Sequence, residues 1–254
     1  MSKLGIISDI HGNEHALKAV YEQLGTMDVD RILCLGDIVG YGPSPTQCMN
    51  LVLSYCDEIV KGNHDEAVLD PDLGRYFNSS ALAALNWTRD KLEAQHLIAI
   101  SHMKKRIRLD DSLLLVHDTP VLNDSAYIHE LPHAIEAFRG LESGLCLHGH
   151  THLPTVFCSH DRPNATNEVT LQMAVHAEPI TLDPKNRYLL NPGSVGQPRD
   201  GNPLASFATL EYISAEEEAV FTVFRTDYDI KAAQAETHKV GLPANLADRL
   251  AIGS

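Results

Sequence analysis

The segment "LHGHTHLP" (147–154) carries histidines at 148, 150 and 152, every second position around Gly149. Side chains two apart on a strand project to the same face, so this spacing predicts three imidazoles side by side at a strand end. Imidazole nitrogen ligates Zn, Fe, Mn and Ni, and such crowding serves metal binding better than packing. The remaining ligands must arrive from other segments. Asp9, His11, Asp37, Asn63, His64 and His117 each interrupt or follow an apolar run. Leaving His64 aside, these residues with His150 and His152 provide two carboxylates, one amide and four imidazoles. That set suffices for two metal sites sharing a carboxylate, with ions about 3.5–4 Å apart clamping the attacking and leaving oxygens of an in-line displacement. Asp37, at the end of a central strand, is the candidate bridge.

The elements that must position these groups are readable from periodicity. "KLGIIS" (3–8) is a short apolar run, and "NEHALKAVYEQL" (13–24) places Ala16, Leu17, Val20 and Leu24 at helical spacing. "DRILCLGD" (30–37) is a second strand, apolar on both faces. "PTQCMNLVLSY" (45–55) is a helix with Pro45 in its first turn and Ser44 at the N-cap position, and "DEIVKGNHD" (57–65) ends a third strand. Residues 79–93 form an amphipathic helix, and 105–118 a hairpin turning at Asp110-Asp111 whose second strand ends at His117. A short helix near 132–140 precedes "GLCLHGHTHLPTVF", a strand, turn and strand. Beyond it, "EPITLD", "RYLLNPGS", "ASFATLEY" and "AVFTVFRTDYD" are short strands expected to build a second, mixed or antiparallel sheet. Segments 229–240 and 244–252 are helical. Strands that run parallel line up their C-terminal ends along one crevice, where open α/β sheets bind ligands.

Composition bounds the function. The 254 residues are 44% apolar and 21% charged, with a net charge of −14, which fits one globular domain over 1–254 and disfavours nucleic acid or anionic membrane as a partner. Five cysteines without C-x-x-C spacing form neither a zinc ribbon nor a disulfide framework. They fit small buried residues, Cys34 and Cys146 among them, in a reducing cytoplasm. The N-terminal apolar run is too short for a signal peptide, so the triplet Asn164-Ala165-Thr166 is expected to carry no glycan. A homo-oligomer is compatible with this composition.

"SDIHGN" (8–13), "LGDIVGYGP" (35–43), "GNHD" (62–65), the histidine of "LVHD" and "GHTH" (149–152) together resemble the five blocks of the calcineurin-like metallophosphoesterases, in the family's order. "LNPGSVGQPRDGNP" (190–203) is similar to the late loop of the small bacterial branch related to diadenosine tetraphosphatases and phosphodiesterases. The resemblance implies a four-layer α-β-β-α sandwich of two mixed sheets. It also implies that Asp9, His11 and His152 bind one ion and Asn63, His117 and His150 the other, with Asp37 bridging. The cofactors would be two divalent transition metal ions, Mn foremost and Fe, Zn, Ni or Co as alternatives. A water bridging them would attack phosphorus directly. Two such ions against Asp9 and Asp37 leave about +2 before that water ionises, enough to draw phosphate to an acidic protein.

By the same pattern His64 faces the leaving-group oxygen, as general acid or as donor to developing charge. Asp65 either orients His64 or caps its loop. Asn63 and His64 would touch substrate, and Arg199 in "GQPRD" is a candidate phosphate contact because its planar fork matches phosphate oxygens, although a surface ion pair is equally compatible. Gly12, Gly36, Gly62 and Gly149 are expected to turn the backbone sharply beside the ions. Tyr41 is expected to pack its loop, and His148 to be a partly buried strand residue or a donor to a ligand. His15, His96, His102, His129, His133, His160, His176 and His238 are taken as structural or solvent-facing. Asp118 stands where many relatives carry glycine and would add negative charge beside the second ion. The expected function is hydrolysis of small phosphomonoesters, phosphodiesters or dinucleoside polyphosphates. The rivals are a noncatalytic scaffold of the same fold that binds a protein partner, and a serine/threonine protein phosphatase.

Overall fold

The computed structural model describes residues 2–121, 127–160, 168–214 and 217–254; the triplet Asn164-Ala165-Thr166 lies outside them. The strands are β1 (Ser2–Ile7), β2 (Arg31–Cys34), β3 (Glu58–Ile59), β4 (Arg106–Arg108), β5 (Leu113–Val116), β6 (Leu145–Leu147), β7 (Pro154–His160), β8 (Glu168–Met173), β9 (Pro179–Leu182), β10 (Arg187–Pro192), β11 (Ala205–Tyr212) and β12 (Ala219–Thr226). They form two six-stranded mixed sheets, ordered β3-β2-β1-β11-β12-β9 and β4-β5-β6-β10-β7-β8. In the first, β1, β2 and β3 are parallel; in the second, β5, β6 and β10 are.

Alternation along each strand builds three layers of core. Leu4 and Ile6 of β1, Leu113 and Leu115 of β5, Leu145 and Leu147 of β6 and Leu190 of β10 meet between the sheets with Phe221. Ile7 and Cys34 face the opposite way, against α1 (Glu14–Leu24) and α2 (Pro45–Tyr55), with Leu17, Val20, Met49 and Val52. On the far side of the second sheet, Leu114, Val116, Cys146 and Leu189 pack under Ala134, Ala137 and Phe138. Both faces of the parallel strands are therefore covered, which is why their sequences read as unbroken apolar runs.

The other helices are α3 (Asn63–Ala67), α4 (Ser79–Lys91), α5 (Ala94–His102), α6 (Leu131–Arg139), α7 (Ile230–Lys239) and α8 (Ala244–Asp248). α1 begins where expected, its N-cap Asn13 accepting from Ala16 N at 3.2 Å. Ser44 occupies the N-cap position of α2, but its side chain makes no capping bond. The single-turn α3, the helix α5 and the edge strand β8 have no counterpart in the sequence-based expectation.

The C-terminal strands do not make a sheet of their own. β11 joins the first sheet antiparallel to β1, and β12 and β9 follow it, each antiparallel to the strand before, whereas β10 inserts between β6 and β7 of the second. Local alternation marks a strand but carries no information about which sheet edge it will join. Among the described residues no helix is long and apolar enough to cross a membrane, and all five cysteines are free.

Phe221 is fully buried where the two sheets meet. Phe221→Ala should destabilise the fold by about 3–5 kcal/mol, measured by urea unfolding. A loss below about 1 kcal/mol would mean that this seam is not tightly packed.

Candidate metal centre

Every expected ligand follows the C-terminal end of a parallel strand: Asp9 and His11 after β1, Asp37 after β2, Asn63 after β3, His117 after β5, and His150 and His152 after β6. The two sheets thus deliver their ligands to one crevice. Asp9, His11 and His152 converge as one group of three, and Asp37, His117 and His150 as another, with ligand atoms in each within 4.8 Å of one another. In the first group His152 Nε2 lies 3.2 Å from Asp9 Oδ1 and 3.1 Å from His11 Nε2. Asp37 Oδ2 stands between the groups, 3.6 Å from His11 Nε2 and 3.3 Å from His117 Nε2.

The three histidines of 147–154 do not share a strand face. β6 stops at Leu147, and His150 and His152 adopt left-handed backbone conformations, φ 67° and 61°. The two-residue spacing therefore reflects a tight loop, not strand alternation. His148 is completely buried, its Nδ1 3.4 Å from Asn191 Nδ2. The same amide donates to Gly149 O at 2.7 Å and Thr151 Oγ1 at 3.1 Å, holding the loop from below.

Backbone carbonyls fix the imidazoles. His117 Nδ1 donates to Leu35 O at 2.8 Å, His11 Nδ1 to Val39 O at 3.2 Å and His152 Nδ1 to Gln197 O at 2.5 Å. With a proton held on Nδ1, Nε2 presents its lone pair inward whenever the ring is neutral, the tautomer a metal requires. Among the described residues His150 Nε2 and Asn63 Oδ1 are buried without a hydrogen-bond partner, while His117 Nε2 faces carboxylates, Asp37 Oδ2 at 3.3 Å and Asp9 Oδ1 at 4.0 Å. Buried acceptors seldom lack partners, and two of them on loops at the same strand ends fit a cation.

Electrostatics agree. Burial pulls His11, His152 and His150 below the usual histidine range, His150 to about 3, so these imidazoles are neutral. Burial acts the same way on His117, but Asp37 and Asp9 override it and raise His117 to about 10. Burial alone would push Asp9 and Asp37 up; the neighbouring imidazoles hold both carboxylates well below their ordinary range.

Asp65, expected to orient His64 or to cap the loop, does the second. Its Oδ2 accepts from Asp37 N and Gly62 N at 2.9 and 3.0 Å, and its Oδ1 from Ile38 N and Val39 N at 3.0 and 3.2 Å. None of these bonds reaches His64, whose Nδ1 is buried and unpartnered. The His64 backbone N–H instead donates to Asp37 Oδ1 at 2.9 Å. Its ring packs between Tyr41 and Phe77, each 4.5 Å away, so Tyr41 packs the loop as expected.

Two of the four expected turning glycines have another role. Gly12 and Gly36 have positive φ, but Gly62 is extended, with φ −84° and ψ 172°. A Cβ at Gly62 would collide with the Asp37 carboxylate, and one at Gly149 would lie 2.7 Å from Asp9 Oδ2. At Gly149 the nearer obstacle to such a Cβ is Ser8 Oγ, so glycine is required at Gly62 by the Asp37 carboxylate and at Gly149 by Ser8 together with Asp9.

Arg199 is partly buried and holds Gln197 Oε1 at 3.2 Å. Among the described residues it pairs with no carboxylate, and its charge acts on both His64 and His152. Asp118 accepts from Thr119 N at 2.8 Å. Sequence reasoning missed Ser194, whose hydroxyl donates to Asp9 O at 2.8 Å, and Tyr127, whose ring stacks on His150 at 3.8 Å. Ser194 lies inside the "NPGS" block; Tyr127, in a polar loop, carried no signal.

Residues 2–215 match the model of the calcineurin-like phosphoesterase superfamily domain. An uncharacterized protein of Methanocaldococcus jannaschii is 33% identical over 263 residues, an alignment covering 99% of this chain and 98% of that protein. The crystal structure of a metallophosphoesterase from Sphaerobacter thermophilus superposes with a TM-score of 0.83 at 37% identity, covering 100% of this chain and 99% of that one. A hypothetical protein from Pyrococcus horikoshii shares the fold, with a TM-score of 0.76 at 18% identity and coverage of 100% and 99%. With its ligand-bearing loops at one end of a two-sheet sandwich, the chain belongs to the calcineurin-like phosphoesterase superfamily.

Proposed function

We propose that this chain is a dinuclear metal-dependent hydrolase of small phosphate esters, taking phosphomonoesters, phosphodiesters or dinucleoside polyphosphates. The observation that carries this reading is the pair of buried ligand groups that meet at Asp37 Oδ2, with His150 Nε2 and Asn63 Oδ1 left without hydrogen-bond partners among the described residues. Asp9, His11 and His152 would hold one divalent transition ion, Asn63, His117 and His150 the other, and Asp37 both. Such a pair, when bound, acidifies water and screens charge on the phosphoryl group. Everything else falls to the protein.

His64 serves as a neutral donor rather than an imidazolium acid. Burial, helped by His152, His117 and Arg199 nearby, lowers it to about 4 even with the Asp37 charge opposing. A neutral imidazole N–H aimed at the leaving oxygen stabilises the charge that develops there without titrating near pH 7. Arg199, free of carboxylate partners among the described residues, supplies a fork for a phosphate oxygen at the edge of the site. A noncatalytic scaffold would have no need for a complete ligand set plus His64.

The first assay restores Mn, Co, Ni, Zn or Mg to metal-stripped protein and follows p-nitrophenyl phosphate, its bis ester and a dinucleoside tetraphosphate. Activity returning with a transition metal supports the proposal. Silence in folded, metal-loaded protein favours the scaffold.

His64→Ala should lower kcat by about 100- to 1000-fold with metal content unchanged. A wild-type activity limb titrating between about pH 6 and 7 that this variant abolishes would restore the imidazolium acid. Asp65→Asn leaves buried N–H groups around Asp37 facing an amide, which costs about 1–3 kcal/mol for each donor left unpaired. Both metal occupancy and kcat should therefore fall. If kcat fell at full occupancy and unchanged stability, Asp65 would be acting on His64 after all.

A further inference from the structure

A second set of metal-ligating side chains lies outside the centre. His129, Glu130 and His133 each offer a ligand atom within 4.8 Å of the other two. His133 Nε2 is 3.6 Å from Glu130 Oε1, and the two imidazole centroids are 4.7 Å apart. The stretch reads "HELPH", the H-E-x-x-H order that on a continuous helix sets two histidines on one face and leaves the glutamate free as a base. Here α6 starts only at Leu131, with Pro132 in its first turn and Glu130 as an extended N-cap. His129 therefore precedes the helix, and the bend brings the Glu130 carboxylate into the space the imidazoles share.

An ordinary ion pair between His133 and Glu130 accounts for one nitrogen of one ring. It does not account for His129, or for His133 Nδ1, which is buried without a hydrogen-bond partner among the described residues.

We propose that His129, Glu130 and His133 form an accessory site for a divalent transition cation, with Zn²⁺ the best match. Two imidazoles and one carboxylate with a fourth position open to solvent suit its tetrahedral preference and borderline softness. Mg²⁺ and Ca²⁺ need more oxygen ligands than the cluster offers. The site adjoins the central one through Tyr127, which stacks on His150 at 3.8 Å and 23° and meets the His129 ring edge-on at 6.4 Å and 73°. An ion held there adds positive charge beside the mouth of a crevice in a protein of net charge −14.

The test counts Zn²⁺ per chain by inductively coupled plasma mass spectrometry after equilibrium dialysis of metal-stripped protein. It compares wild type, His129→Gln/His133→Gln, Glu130→Gln and His117→Ala/His150→Ala, with circular dichroism as the check on folding. The His129/His133 double variant should bind one ion fewer than wild type. Glu130→Gln, a change at a half-exposed side chain, should weaken the same ion about tenfold or more. Equal stoichiometry and equal affinity in wild type and both of these variants would overturn the accessory site. The His117/His150 variant should lose central ions and keep the accessory one, so failure of the central assignment would show as no loss in that variant alone.

Discussion

The structure depends on a run of strained backbone. Asp9, His11, Asp37, His150 and His152 all have φ between 50° and 67°, the left-handed region that side chains with a Cβ avoid. Each such residue costs on the order of 1–3 kcal/mol, and the strain persists only where surroundings over-determine the conformation. Those surroundings are hydrogen bonds between loops. Asp9 N donates to Gly36 O at 3.0 Å, His11 N to Asp37 O at 2.9 Å and Gly12 N to Ile38 O at 2.9 Å, so the loops after β1 and β2 continue the pairing of their strands beyond the sheet. Val195 N to Ser8 O and Gly149 N to His117 O tie in the remaining loops, at 2.9 Å each. Kinks of this kind turn short side chains back over the strand ends, which is how residues two apart in sequence reach one cleft.

The fold was legible wherever burial wrote a pattern. The apolar runs of β1, β2 and β5, the helical spacing of α1 and the polar residues at strand ends all report side chains whose environment repeats regularly. What was not legible depends on partners distant in sequence. The alternation of His148, His150 and His152 looked like a strand because period two is also what two consecutive left-handed kinks produce. Asp65 looked like a partner for its neighbour His64, whereas its carboxylate caps the Asp37 loop from 28 positions away. Sheet membership of β9 to β12 was invisible for the same reason.

The charge distribution separates the site from the rest of the chain. An overall charge of −14 repels phosphate at long range, but the two carboxylates of the crevice are nearly matched by cations. His117, held in its charged form by Asp37 and Asp9, is the group that must release a proton before it can ligate. The other imidazoles of the two groups are already neutral because burial has discharged them. The donor set is thus prepared for an ion in the same way at nearly every position, by fixing tautomers through carbonyls and removing water.

Neither sheet can make the centre alone. The first group draws Asp9 and His11 from one sheet and His152 from the other; the second draws Asp37 from one, and His117 and His150 from the other. The ligand atoms meet only when the Leu4, Ile6, Leu115 and Leu147 layer between the sheets is packed. An ion that binds this arrangement and not the unfolded chain adds its binding free energy to the stability of the sandwich. For such an ion, seam packing and affinity would be one linked equilibrium, in which a cavity cut between the sheets would weaken binding from a distance.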